Sequence, residues 1–336
     1  DFIPAISNGV SSGMTEQNLV NNNVSTLNGE SSGMDTSNLV TSTLTRQVPY
    51  NSYSLNFDAG NNNYINCTDS NIFSFGDETN DFPFSMSAWI KTSSSASKGI
   101  ISKWGTTGTS GHEWIFWTVG APAKLRMNLN DGTNTVYRYR QGNTNVDTGE
   151  WVHAVVTYDG RGGNDANDGI KIYVNGQEES SYTNGSAGTY VSMHNTPRIV
   201  QIGAYNSVGN FDGQISNPAI FDKELTSTEV MKLYNSGVPS NLSSFTPSPI
   251  AWWSLGSDSY YNGANYICPD LIGTNNGTSN GMDANSIVGN APNSTANGTS
   301  TNMTIGANLT GNAPNSSNNS FSVNMSFDDR ETDIPS

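Results

Sequence analysis

Few side chains in this chain are placed to do chemistry unaided. Three histidines, His112, His153 and His194, stand without the close spacing that lets two of them share a metal ion. His153 lies in the run Trp151 to Tyr158, whose alternation puts Trp151, His153 and Val155 on one face. That placement reads as a packed structural histidine rather than a general base. Serine nucleophile elbows and phosphate-binding glycine loops do not occur. The stretch from Asp159 to Gly169 is acidic and glycine-rich, yet it lacks the ligand order and closing Glu of an EF-hand and reads as a long hairpin loop. Cys67 and Cys268 are too few for a disulfide scaffold and far from any Cys/His spacing of a zinc site. They either pair, tying the C-terminal segment to the middle of the chain, or remain two free thiols. The remaining chemistry is aromatic. Trp104, Trp114, Tyr137, Tyr139 and Tyr205 are candidates for stacking on sugar rings, with Asn and Asp side chains reading hydroxyls beside them. Alternation places Trp89, Trp117 and Trp151 in the core instead.

Those aromatics need a scaffold, and composition says where it lies. The chain has 336 residues, 34% hydrophobic and 13% charged. That apolar share is well below the usual 45–50% or so, so a core must be concentrated in one part with polar arms elsewhere. The net charge of −15, from 14 basic and 29 acidic residues, argues against nucleic acid as a partner, because phosphate affinity is built from Lys and Arg. No apolar window is long enough for a membrane span. The opening Asp1-Phe2-Ile3-Pro4 has neither an initiator Met nor a signal-like region, which is expected of a processed chain or of a segment of something longer.

Residues 50–237 carry the strand signals. Leu55 to Asp58 and Phe84 to Ile90 alternate, and Gly99 to Lys103, Glu113 to Val119, Lys124 to Leu129 and Val136 to Arg140 are further candidates. Trp151 to Tyr158, Ile170 to Val174, Ile199 to Ile202 and Gln214 to Phe221 complete the set. Turn signals fall between them at Asp131-Gly132, Asp159-Gly160, Asn175-Gly176, Asn184-Gly185 and Asp212-Gly213. Many short strands at this spacing predict an all-β sandwich or barrel. Only Leu225 to Tyr234 reads as a helix, with Thr226 or Ser227 as N-cap, Glu229 in its first turn and Gly237 as its stop.

The order of these phrases resembles the laminin-G-like branch of the concanavalin A-like lectin/glucanase fold. The resemblance is carried by Leu55-Asn56-Phe57-Asp58, Phe84 to Ile90, Gly99 to Lys103, Trp151 to Asp159, Ile172-Tyr173-Val174-Asn175-Gly176, Phe211 to Asn217 and Leu225 to Val230. It implies a jelly-roll β-sandwich with extended polar N- and C-terminal arms. It also implies calcium at the rim, where the matching carboxylates are Asp58 and Asp212, since hard oxygen ligands suit that ion. Asp beside Gly is equally ordinary turn chemistry. A glycanase of this fold would carry two or three carboxylates alternating on one strand, and no Glu-x-Asp-x-x-Glu phrase occurs, so no enzyme is expected.

The flanks, 1–49 and 271–336 with a connection at 238–270, are repetitive. Ser11-Ser12-Gly13-Met14-Thr15-Glu16-Gln17-Asn18-Leu19-Val20 returns as Ser31-Ser32-Gly33-Met34-Asp35-Thr36-Ser37-Asn38-Leu39-Val40. A relative runs from Ser279 through Gly281-Met282 to Ile287-Val288, and a looser copy from Thr301 to Thr310. A second refrain, Gly289 to Ser294, returns at Gly311 to Ser316. The Ser-Gly-Met-x-x-x-Asn-Leu-Val phrase and Asp329-Arg330-Glu331-Thr332-Asp333-Ile334-Pro335 resemble virion proteins of marine bacteriophages. A polar arm gains order only on a surface that supplies hydrogen bonds and small pockets. Met14, Leu19, Met34, Leu39, Met282 and Ile287 are therefore expected to be docking anchors, with Asn18 and Asn38 bonding backbone and short β-pairings alongside. The expected function is a non-enzymatic structural protein of a virion surface or extracellular filament, whose partners are other copies of itself or capsid and tail proteins. The alternative is a glycan-binding adhesion module.

Overall fold

In the computed structural model, residues 8–12, 30–32, 51, 53–105, 111–256, 258–289, 299–301, 305–310 and 321–323 are described. The chain forms two units, one of Pro49–Asn293 and one of Asp1–Val48 with Ser294–Ser336. The short strands β1 (Asn8–Ser12) and β2 (Glu30–Ser32) come first. The large unit then runs through β3 (Ser54–Phe57), β4 (Tyr64–Cys67), β5 (Phe84–Lys91), β6 (Lys98–Lys103), β7 (His112–Val119), β8 (Lys124–Gly132) and β9 (Tyr137–Asn145). It continues with β10 (Trp151–Tyr158), β11 (Ile170–Val174), β12 (Gln177–Glu178), β13 (Thr183–Ala187), β14 (Val200–Ile202) and β15 (Gly213–Phe221). After α1 (Ser227–Tyr234) come β16 (Ala251–Trp252), β17 (Tyr260–Tyr261), β18 (Tyr266–Cys268), β19 (Gly277–Asn280) and β20 (Ile287–Val288). The small unit adds β21 (Thr299–Thr301), β22 (Ile305–Thr310) and β23 (Phe321–Val323).

Two antiparallel sheets build the large unit, as a jelly-roll sandwich requires. The larger has the order β13-β9-β8-β7-β6-β14-β4-β19-β18-β17, and the smaller β12-β11-β10-β5-β15-β3-β20, with β16 also on β15. Alternation decides which side chains meet between them. Phe84, Met86, Ala88 and Ile90 of β5 and Val152, Ala154, Val156 and Tyr158 of β10 share one core with Trp114 and Phe116 of β7 and Leu125, Met127 and Leu129 of β8. The back of the smaller sheet is buried too. There Val155, Tyr173, Ala219 and Phe221 pack against Leu225, Val230 and Leu233 around α1, with Leu242 and Trp252. Helix α1 starts on a full capping box between Thr226 and Glu229 and ends at Asn235 in the left-handed conformation, two residues before the expected glycine stop.

Strands also form where the sequence reads as connection and arm. β16, β17 and β18 lie within 238–270, and β19 and β20 lie in the first part of 271–336, yet all join the sandwich sheets. Each is two to four residues long, too short to show a period without its partner strand. In the small unit β1 pairs in parallel with β2 and antiparallel with β22, and β21 pairs in parallel with β23. No described helix is long and apolar enough to cross a membrane.

Candidate functional site

On β8, Leu125, Met127 and Leu129 point into the core, so Arg126, Asn128 and Asn130 stand on the outer face of the larger sheet. Register brings matching side chains beside them. Trp117 on β7 is opposite Arg126, which is opposite Gln141 on β9, and Asn128 is opposite Tyr139. The guanidinium of Arg126 lies 4.1 Å from the ring centre of Tyr139 and 5.7 Å from that of Trp117. Its Nε and Nη2 donate to Gln141 Oε1 at 3.0 and 2.6 Å, and Trp117 Nε1 donates to Asn128 Oδ1 at 3.1 Å. Tyr137 lies alongside Tyr139 at 6.2 Å, and Tyr205 meets Trp117 edge-on at 5.5 Å. Tyr139 sits directly over Gly185 on β13. A Cβ there would fall 2.1 Å from its ring, so a side chain at that position would displace the platform. Partial burial lowers the pKa of Arg126, with only the hydroxyls of Tyr139 and Tyr137 pulling the other way. Half-exposed rings, fixed amides and one cation make a surface that can stack on an apolar sugar face and bond its hydroxyls.

Of the aromatic candidates, Tyr137, Tyr139 and Tyr205 come together here. Trp104 stands apart, edge-on to the buried His112 at 4.6 Å. Trp114 is in the core, fully buried against Phe75, with its Nε1 donating to Phe73 O at 2.8 Å. Its ring is not available for stacking. Trp117, expected in the core, is instead half-buried on the outer face. Two tryptophans three residues apart on a strand face opposite ways, and Trp114 takes the inner face together with Phe116. Arg126, Asn128 and Gln141 were not foreseen, although the phase of Arg126 and Asn128 against Leu125, Met127 and Leu129, and of Gln141 with Tyr137 and Tyr139, was a usable signal.

His153 is 1% exposed, packed 4.8 Å from Trp89 and 5.8 Å from Tyr234, with Nε2 3.0 Å from Ser87 Oγ. Burial pulls its pKa down to about 3, so it stays neutral. It is the packed histidine its strand position implies. Cys67 and Cys268 are free and buried, and Gly277 on β19 lies between them as the register partner of both. Two strand spacings place their backbones about 9.5 Å apart, beyond the roughly 4.4–6.8 Å that a disulfide spans. Burial pushes the Cys268 thiol up to about 12 and the Cys67 thiol up as well. The Asp159–Gly169 stretch is the loop of the β10–β11 hairpin, with Asp159 paired to Arg161 at 2.5 Å.

Asp58 and Asp212 do share a cleft. Phe57 pairs with Gly213, which puts the two carboxylates at adjoining strand ends, and the space of about 500 Å³ is also lined by Asn56, Ser93 and Ser94. The Asp58 carboxylate already accepts from Gly60 N at 2.8 Å and Asn61 Nδ2 at 2.7 Å. Among the described residues, no group of three His, Cys, Asp or Glu comes together. The cleft offers two carboxylates with the amide and hydroxyl groups of Asn56, Ser93 and Ser94 beside them, oxygens of the hard kind that calcium takes.

A third carboxylate, Asp81, is a structural latch. Its Oδ2 accepts from Tyr158 Oη at 2.7 Å and Tyr190 Oη at 2.9 Å, and its Oδ1 from Met193 N at 2.7 Å. Of the expected anchors, Met14, Leu19, Met34 and Leu39, like Asn18 and Asn38, lie outside the described residues. Met282 is 3% exposed in the sandwich core, and Ile287 is partly buried against it. Strands β19 and β20 flank Met282, one on β4 and one on β3.

A family model described as the concanavalin A-like lectin/glucanases superfamily matches residues 59–231, just over half of the chain. Likeness to solved structures is distant. A Bacteroides ovatus protein named as a candidate carbohydrate binding protein is 18% identical with a TM-score of 0.48, over 73% of this chain and 62% of that one. The chain thus spans less than two thirds of that protein. The CBM40 module of Ruminococcus gnavus IT-sialidase is 14% identical with a TM-score of 0.35, over 46% of this chain and 83% of that one. Domains LG4-5 of the mouse laminin alpha1 chain are 10% identical with a TM-score of 0.35, over 55% and 45%. No curated protein matches.

Proposed function

We propose, from the premise that the chain belongs to the concanavalin A-like lectin/glucanases superfamily, that its sandwich is a non-catalytic carbohydrate-binding module. One observation carries the reading: the cross-strand row of Trp117, Arg126 and Gln141, with Tyr139 and Asn128 beside it, on the outer face of the larger sheet. Tyr137 and Tyr205 extend that platform, whereas Trp104 lies outside it. A glycan array probed with the full chain tests the reading. Binding that disappears in Trp117→Ala and Tyr139→Ala supports it, and silence across neutral and acidic glycans, with and without calcium, overturns it. Calcium is the ion proposed for the Asp58–Asp212 cleft, where it would tie the ends of β3 and β15.

A second reading concerns the arms and has its own observation. Val10, Ser11 and Ser12 pair in parallel with Glu30, Ser31 and Ser32, so corresponding residues of the repeated phrase stand side by side. β21 and β23 pair Thr299 with Phe321 at the offset that separates Gly289 from Gly311. Repeats that pair in register with one another favour a displayed structural protein, on a virion surface or extracellular filament, that assembles through its arms. Low-resolution images of native particles carrying the chain would test this, and purified chains that stay monomeric under assembly conditions would count against it.

A further inference from the structure

The repeated phrase has one copy whose docking is visible throughout. Ser279 and Asn280 end β19 and pair with Ile65 and Tyr64 on β4 of the larger sheet. Gly281 then turns the chain at φ +69°, where a Cβ would fall 2.4 Å from Asn61 O, so glycine is required. Met282 enters the core, and Asp283 Oδ1 caps the following turn by accepting from Asn285 N at 2.9 Å. Ser286 O accepts from Asn56 N at 2.7 Å, and Ile287 and Val288 pair with Leu55 and Ser54 on β3 of the smaller sheet. One phrase thus clips an edge of each sheet to the other.

The N-terminal copies keep the Gly-Met turn and the aliphatic-Val end of this docking, with Ser12 and Ser32 in place of Asn280, whose Nδ2 donates to Asn62 O at 3.1 Å. Gly13-Met14 with Leu19-Val20, and Gly33-Met34 with Leu39-Val40, repeat the Gly-Met and aliphatic-Val pairs at the spacing of Gly281-Met282 and Ile287-Val288. Asp35 and Thr15 stand where Asp283 caps its turn, and both types can do so. Where the copies differ, Asn18 and Asn38 against Ser286, the contact to Asn56 N uses a main-chain carbonyl that any residue supplies, while the Ser286 Oγ that accepts from Asp283 N at 3.1 Å is replaced by an amide side chain. Ser11-Ser12 and Ser31-Ser32 already end strands, as Ser279-Asn280 does. The chain holds several such phrases but a single β3/β4 edge pair among its described residues, and that is filled by 279–288.

We infer that the phrase 31–40, whose strand β2 ends its sheet whereas β1 is paired on both sides, is a clip for the β3/β4 edges of a second copy of this chain, where it replaces that copy's own 279–288. Exchange of like for like conserves the main-chain contacts, which makes it a low-cost route to association. The resident phrase has the advantage of its tether, so exchange requires a high local concentration, as in an array. A displaced 279–288 segment is free to dock on the next copy, and the association propagates. The inference does not depend on sugar binding.

Mixing two full-length chains tests it, one carrying Asn38→Cys and the other Asn56→Cys, with a short thiol-specific cross-linker. The expected result is a cross-linked heterodimer whose yield rises with protein concentration. Adding Met34→Ser and Leu39→Ser to the donor should weaken capture by about tenfold or more, since every 1.4 kcal/mol or so is a factor of ten. Adding Met282→Ser and Ile287→Ser to the acceptor should raise capture by opening the edges. Should that acceptor fail to fold, the comparison in the otherwise natural background decides alone. Yields no higher than those of an Asp222→Cys control on the exposed surface, or yields indifferent to Met34→Ser and Leu39→Ser, would overturn the inference.

Discussion

Replacing Asp81 with Asn should flatten the pH dependence of stability between about pH 4 and 7. The carboxylate accepts three hydrogen bonds, from Tyr158, Tyr190 and Met193, all of which favour its charged form. Burial opposes them and wins, raising its pKa from 3.8 to about 6. The folded chain therefore binds this proton more tightly than the unfolded chain does. The stability it contributes is fully present below pH 4 and is lost as pH rises through 6, a loss of about 3 kcal/mol by pH 7. Burial raises the pKa of Glu113 as well, so the wild-type slope includes more than one group. The readout is accordingly the difference between wild type and Asp81→Asn in urea unfolding at each pH. Tyr158 Oη also accepts from Gly162 N at 2.8 Å, so the latch joins the segment before β5, strand β10 and the loop after it. An Asp81 carboxyl signal that titrates at or below pH 4 by NMR, or a variant with the wild-type slope, would refute the balance argued here.

Tyr139→Ala and Trp117→Ala should each weaken glycan binding about tenfold or more in a titration, with melting temperatures unchanged because both rings are half-exposed. Gly185→Val should do the same through Tyr139, with no direct contact to ligand lost. Met282→Ala should cost about 2–5 kcal/mol in denaturant unfolding, because the side chain fills the core; a change below about 0.5 kcal/mol would place the clip outside the sandwich. Millimolar calcium should raise the melting temperature, with the rise absent in Asp58→Asn and Asp212→Asn; no rise in the wild type would remove the ion from the account.

The sandwich was legible where apolar alternation was long. Trp151 to Tyr158 and Ile170 to Val174 are strands over the residues expected, joined to their neighbours through a turn at Asn175-Gly176 with φ of 52° and 79°. Asn184-Gly185 carries the same local signal yet lies inside β13, because Gly185 is needed beneath the Tyr139 ring. A dipeptide cannot reveal which partner lies over it. The face of β7 was equally hidden. His112 and Trp114 are separated by a bulge in the β7–β8 register, and strand phase alone does not say whether Trp114 or Trp117 turns inward. Met282 and Ile287 stand out in the sequence through the repeat, but the strand on either side, four residues and two, was visible only once β4 and β3 were in place.

The aromatic row lies on the larger sheet alone, away from the β3 and β4 edges that the clip joins. The platform is built on β7, β8 and β9, whereas the phrase adds to β4, beyond β6 and β14 in the strand order. On the back of the smaller sheet, Val155, Tyr173, Ala219 and Phe221 are covered by α1 and Trp252. The proposed exchange of clips would therefore leave the aromatic row untouched. On the proposed reading a few half-exposed rings and amides would bind sugar weakly when single, but copies held at short spacing would convert each further contact into an intramolecular one. Assembly through the arms would set the avidity of a surface whose individual contacts need not be strong. Surface-immobilised glycan should then retain the wild-type chain far longer than the chain carrying Met34→Ser and Leu39→Ser, while the two bind free oligosaccharide equally. Equal retention would separate the two proposals and leave the arms without a part in binding.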